Sequence, residues 1–103
     1  MGSRLELHEE LCTLLGSRNV YFQPPETKKL EYDCIIYNRN NILSQHANNN
    51  NLYMSHDRYE LIYIYRDPDS QLYRDFLTRF KYCSLNRHFV SDNLYHDVFN
   101  LYY

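Results

Sequence analysis

The sequence predicts an α+β domain: a mixed, largely antiparallel sheet with two helices packed on one face, in the order αββαββ, with a long β-hairpin arm. Three observations carry that expectation. Apolar residues recur at helical spacing in two windows, Leu7-Leu11-Leu14-Leu15 and Leu72-Tyr73-Phe76-Leu77-Phe80. Residues favoured in strands dominate four other windows, around 32–39, 58–66, 81–90 and 94–102. Turn chemistry falls between them, at Gly16, Pro24-Pro25, Asp67-Pro68 and Ser91-Asp92-Asn93.

The first helix is expected over 4–15. Ser3 and Glu6 have the spacing of a capping box, in which the hydroxyl takes an orphan N–H and the carboxylate reaches back. Gly16 supplies the left-handed stop. Asn19-Val20-Tyr21-Phe22-Gln23 has the wording of a cleavable-tag linker, and the chain starts Met1-Gly2-Ser3. A capped helix precedes this run, however, and Pro24 stands where a tag linker has Gly or Ser. It reads as native: a short extended segment ended by Pro24-Pro25. Met1–Ser3 fit either origin.

Glu26–Glu31 is a polar connection. In Tyr32–Arg39, Cys34 and Ile36 point one way and Ile35 and Tyr37 the other, as in an inner strand with two covered faces. The run Asn48-Asn49-Asn50-Asn51 then suits a hairpin tip, because asparagine tolerates left-handed turns. In the strand from Arg58 to Arg66, Tyr59, Leu61, Tyr63 and Tyr65 share one face, and Glu60, Ile62 and Ile64 the other. Asp67-Pro68-Asp69-Ser70 makes a turn with Ser70 as N-cap of a second helix over about 70–80. Two strands around Ser91-Asp92-Asn93 complete the chain.

The 103 residues suffice for one small domain, 1–103. A 44% hydrophobic and 23% charged composition is that of a folded chain. The net charge of −2 argues against sequence recognition of nucleic acid, which needs a basic stripe. No apolar run approaches the roughly 18 residues of a membrane span, and no signal peptide or myristoylation pattern opens the chain. Cys12, Cys34 and Cys83 are odd in number and far apart, which suits reduced thiols in a cytoplasm.

No catalytic, cofactor or metal site is expected. The two glycines, Gly2 and Gly16, cannot form a phosphate loop. Asp67 and Asp69 belong to a turn, and Asp75 to an exposed helix face. His8, His46, His56, His88 and His96 lack zinc-type spacing. A final hairpin centred on Asp92 would place His88 opposite His96 with Asp97 adjacent, at the cross-strand spacing of about 5 Å. A polar pair is the expectation there, and a shared metal the competing reading. The 12 tyrosines are the stronger signal, because so small a core cannot hold every ring. The surplus suits protein interfaces. Candidate interface residues are Tyr53, Tyr63 and Tyr65, with Asn48, Asn49, Asn50 and Asn51 on the arm at 40–57.

Two stretches resemble a known family. One runs Val20-Tyr21-Phe22-Gln23-Pro24-Pro25-Glu26, with Leu30, Tyr32 and Cys34-Ile35-Ile36-Tyr37. The other is Arg87-His88-Phe89-Val90 and Asp92-Asn93-Leu94-Tyr95-His96-Asp97-Val98-Phe99, ending Leu101-Tyr102-Tyr103. Arg66-Asp67-Pro68-Asp69-Ser70 fits between them. Over roughly 10–103 the chain resembles the tail terminator, or tail completion, proteins of long-tailed bacteriophages. The resemblance implies a structural virion protein, not an enzyme and without cofactor. It implies a homohexameric ring that caps the tail tube protein, ends tube polymerisation and docks the head-side connector. Its expected place is the head-proximal end of the tail in the virion, after assembly in the bacterial host cytoplasm. The arm at 40–57 aligns least well. The competing readings are a head-closure or adaptor protein of the phage neck, a tyrosine-rich module that binds a host protein and, third, a small enzyme, for which the sequence shows no site.

Overall fold

The computed structural model describes residues 3–40 and 57–103. Helix α1 (Arg4–Leu15) starts at the capping box read from the sequence. The Glu6 amide donates to Ser3 Oγ at 3.2 Å and the Ser3 amide to Glu6 Oε1 at 3.1 Å. It ends at Gly16, whose φ of 80° lets its N–H reach the Cys12 carbonyl at 2.9 Å. Five strands follow: β1 (Val20–Phe22), β2 (Cys34–Arg39), β3 (Arg58–Tyr65), β4 (Cys83–Ser91) and β5 (Leu94–Tyr102), with helix α2 (Leu72–Arg79) between β3 and β4.

The strands form one mixed sheet in the order β1-β2-β3-β5-β4. β1 runs parallel to β2 and every other pair is antiparallel. The chain order is therefore αβββαββ rather than αββαββ. The difference is the tag-like run, which pairs Val20 with Ile35 and Phe22 with Tyr37. Gln23 secures its end: its amide donates to the Tyr37 carbonyl at 2.9 Å, and its side-chain oxygen accepts from the Arg39 amide at 3.1 Å. Of the arm expected at 40–57, Asn40 and Asp57 mark the base. Asn48, Asn49, Asn50, Asn51 and Tyr53 lie outside the described residues.

Strand register sorts the side chains. Ile35 and Tyr37, Tyr59 to Tyr65 at alternate positions, and Phe99 and Leu101 share the face that meets both helices. Leu7 and Leu11 from α1, with Phe76 and Phe80 from α2, close the core over that face. Rings interlock there: Phe76 meets Phe99 edge-on at 5.1 Å and Tyr63 at 5.8 Å. Glu10 ties the layers, taking the Tyr103 hydroxyl and an ion pair with Arg79. Burial pushes the Tyr103 phenol well above its ordinary range, and the bond to Glu10 adds to the shift.

The second helix differs from expectation at its start. Gln71, not Ser70, is the N-cap and its side chain makes no cap hydrogen bond, while Ser70 Oγ accepts the Leu72 amide at 3.5 Å. The same Oγ also reaches the core, where it and the Tyr63 hydroxyl share a hydrogen bond of 3.0 Å. Asp67 does organise the turn, accepting the Asp69 amide at Oδ1 and the Ser70 amide at its carbonyl. Among the described residues, no helix is long and apolar enough to cross a membrane.

Candidate functional site

The β4–β5 hairpin decides what the polar side chains near its end can do. Its loop is the two-residue turn Asp92-Asn93, with φ of 54° and 65°. Both residue types accept the left-handed region, and this turn shape matches the twist of the flanking strands. The pairing is then Ser91 with Leu94, Phe89 with His96, and His88 with Asp97. The expected His88–His96 pair therefore does not form. A hairpin centred between Asp92 and Asn93 shifts the register by one residue, which sends the two histidines to opposite faces. His96 stacks on Phe89 at 4.6 Å, and its Nδ1 lies 3.1 Å from the Leu94 carbonyl.

On the helix face, Asp97 is a charged residue in an otherwise apolar stripe and is only 3% exposed. The Tyr65 hydroxyl donates to its Oδ2 at 3.0 Å, and His88 Nδ1 pairs with its Oδ1. Burial, reinforced by the bond to Asp97, pushes the Tyr65 phenol far above its ordinary range, so it stays a donor. Rings line up toward this point. Tyr63 stacks on Tyr65 at 4.5 Å, Tyr65 on Tyr95 at 5.5 Å, and His88 on Tyr95 at 6.1 Å.

Asp97 sits in an open cleft of about 360 Å³ between β4 and the start of α2, with walls from Tyr65, Pro68, Ser70, Tyr73, Leu85 and His88. A register shift between Leu85 and Arg87 shapes it. In a regular strand, residues three apart point to opposite faces. The extra residue turns both Leu85 and His88 toward the cleft. The carboxylate and one imidazole are too few donors for a closed metal site. Among the described residues, no group of three or more histidine, cysteine or acidic side chains is placed to hold an ion.

Two surfaces outside the core stand out. β4 ends the sheet order, and no strand lies on its outer side among the described residues. From Ser84 to Ser91 its side chains are exposed, including Leu85, Phe89 and Val90. The sheet face away from the helices is also part-apolar, with Tyr21, Ile36 and Ile62 half-buried.

The tyrosines divide differently from expectation. Tyr63 and Tyr65, expected at an interface, are each 4% exposed and belong to the core. Both faces of β3 read as apolar, and the side that α2 covers is theirs: Phe76 packs edge-on against Tyr63. Burial raises the Tyr63 phenol as well. Sequence reasoning named Asp97 only as a neighbour of the expected His88–His96 pair, and it passed over the exposed apolar side chains of β4. Asp97 had a signal, an acid in phase with Tyr95, Phe99 and Leu101. The exposure of Leu85, Phe89 and Val90 follows from strand order, which periodicity does not give.

A scan against protein-family models, a search of curated proteins and a search of solved structures each find no match to this chain.

Proposed function

We propose that this chain is the subunit of a ring that caps the tail tube of a long-tailed phage, ends tube growth and presents a surface to the head-side connector. The observation that carries the reading is the open β4 edge. A closed ring needs two different patches on each subunit, joined head to tail. The edge offers one: a strand without a neighbour on its outer side among the described residues, flanked by exposed Leu85, Phe89 and Val90. The part-apolar sheet face is a candidate for the second. The wording of Val20–Glu26 and Asp92–Phe99 adds the family resemblance. In this reading the function is structural, without catalytic residue or cofactor. Burial of Tyr63 and Tyr65 moves the expected subunit contact from those rings to β4.

The test is mass measurement by light scattering over a wide concentration range, with and without tail tube protein. A ring, near six copies, is expected, and Leu85→Lys with Val90→Lys should return a folded monomer. A monomer at every concentration with tube protein present would overturn the reading. Antibody to this chain should label virions at the head-proximal tail end; label at the portal would replace terminator by adaptor.

A further inference from the structure

We propose that the cleft between β4 and the start of α2 is a binding site for the guanidinium of an arginine presented by another protein chain, with Asp97 as its counter-ion. A carboxylate offers about four acceptor positions. Asp97 shows one partner on each oxygen, the Tyr65 hydroxyl on Oδ2 and His88 on Oδ1. Among the described residues one position per oxygen therefore remains, the pattern that a guanidinium fork takes with two parallel N–H donors.

Charge points the same way. Asp97 is almost wholly removed from water, yet its one described ion-pair partner is an imidazole. A buried carboxylate gains more from a permanent cation. No arginine of the described residues pairs with Asp97: Arg74 Nε donates to the Tyr73 hydroxyl at 3.1 Å and its guanidinium lies over one face of that wall ring at 5.7 Å, while Arg66 lies over Tyr32 and Arg87 over Phe89.

Shape and walls select the group further. About 360 Å³ is at the small end of ligand sites and suits one side chain rather than a cofactor. Tyr73 and Pro68 give flat walls, and a guanidinium stacks on such surfaces where an ammonium stays hydrated. Tyr65 is a positioning residue: its hydroxyl fixes one carboxylate oxygen, and its ring is held between Tyr63 and Tyr95. The cleft opens beside β4, so a chain docked along that edge would carry its side chains past the mouth. The site itself does not depend on ring assembly, and a small probe tests it separately.

The probe is ethylguanidinium, titrated into the folded parent protein and followed by amide chemical shifts, with neutral ethylurea as the matched control. Saturable shifts are expected at Ser70, Tyr73, His88 and Asp97, with none from ethylurea. Asp97→Asn should weaken binding at least tenfold. Tyr73→Ser, on the rim and away from the buried pair, should weaken it at least threefold and serves if the Asp97 variant does not fold. Shifts that do not saturate, equal shifts from ethylurea, or an unchanged midpoint in the variants would overturn the assignment.

Discussion

Replacing Phe76 by Ala should be the most damaging single truncation in α2. The helix has only eight residues, too few to hold itself, and its N-cap Gln71 makes no side-chain cap bond. Phe76 is its one fully buried anchor, at 0% exposure, with Phe99 and Tyr63 edge-on against its ring. Removing a buried phenylalanine costs about 3–5 kcal/mol through lost transfer energy and the cavity left behind. Two ring contacts place this site in the upper half of that range, so a loss of about 4 kcal/mol is expected. Each kcal/mol shifts the melting point of a domain of this size by about 4–8 °C, which makes a fall of roughly 15–30 °C. Phe76→Leu keeps most of the volume and should lose less than about 1.5 kcal/mol. Leu77, partly exposed on the same helix, is the control. Urea unfolding followed by circular dichroism and tyrosine fluorescence reads all three variants. A loss below about 1.5 kcal/mol for Phe76→Ala, or an equal loss for Leu77→Ala, would refute the assignment of Phe76 as anchor.

Other outcomes follow from local chemistry. Gly16→Ala meets no neighbouring atom, so its cost is the left-handed backbone alone, about 1–2 kcal/mol by thermal unfolding, with Gly16→Asn losing less. His8 is held below its ordinary value of 6.5, first by burial and then by Arg4 and Arg18. Because the Arg4 guanidinium already donates to the Tyr37 hydroxyl, that hydroxyl is free to donate to His8 Nδ1, which favours the neutral ring. The unfolded chain then binds the proton more tightly, so this residue's share of stability is lost as pH falls below 6.5 toward the lower folded value. Urea unfolding at about pH 7.5 and about pH 5.5 should show a smaller difference in His8→Gln than in the parent. Burial pushes the Cys34 and Cys83 thiols up to about 11 and raises Cys12 as well. Iodoacetamide should therefore label the native protein slowly at neutral pH and all three thiols promptly after unfolding, with mass spectrometry as the readout.

Much of the fold was legible because local chemistry and periodicity agree. α1 runs from cap to stop as Ser3, Glu6 and Gly16 require, and β3 and β5 fill the windows their alternation marks. The misses share another cause: each depends on what lies across from a residue. Ser70 lies one residue before the N-cap and shares its hydroxyl between the Leu72 amide and Tyr63. Tyr63 and Tyr65 resemble surface rings until α2 covers that side of β3. The His88–His96 pairing failed on a half-residue in the hairpin centre, which sets the register of both strands. Asp97 alone among these was visible beforehand, as a charge out of place in an apolar stripe.

The irregularity between Leu85 and Arg87 also bears on how the chain avoids unwanted company. A long straight edge accepts any extended peptide and propagates it. Here the rail is broken: the stretch Cys83–Leu85 and the stretch Arg87–Ser91 are out of step with each other. A stray strand can follow only one of them before its backbone groups lose their partners. A matching subunit, carrying its own compensating kink, could engage both. The bulge thus limits edge pairing, leaving no more than one in-step stretch for a stray strand to follow.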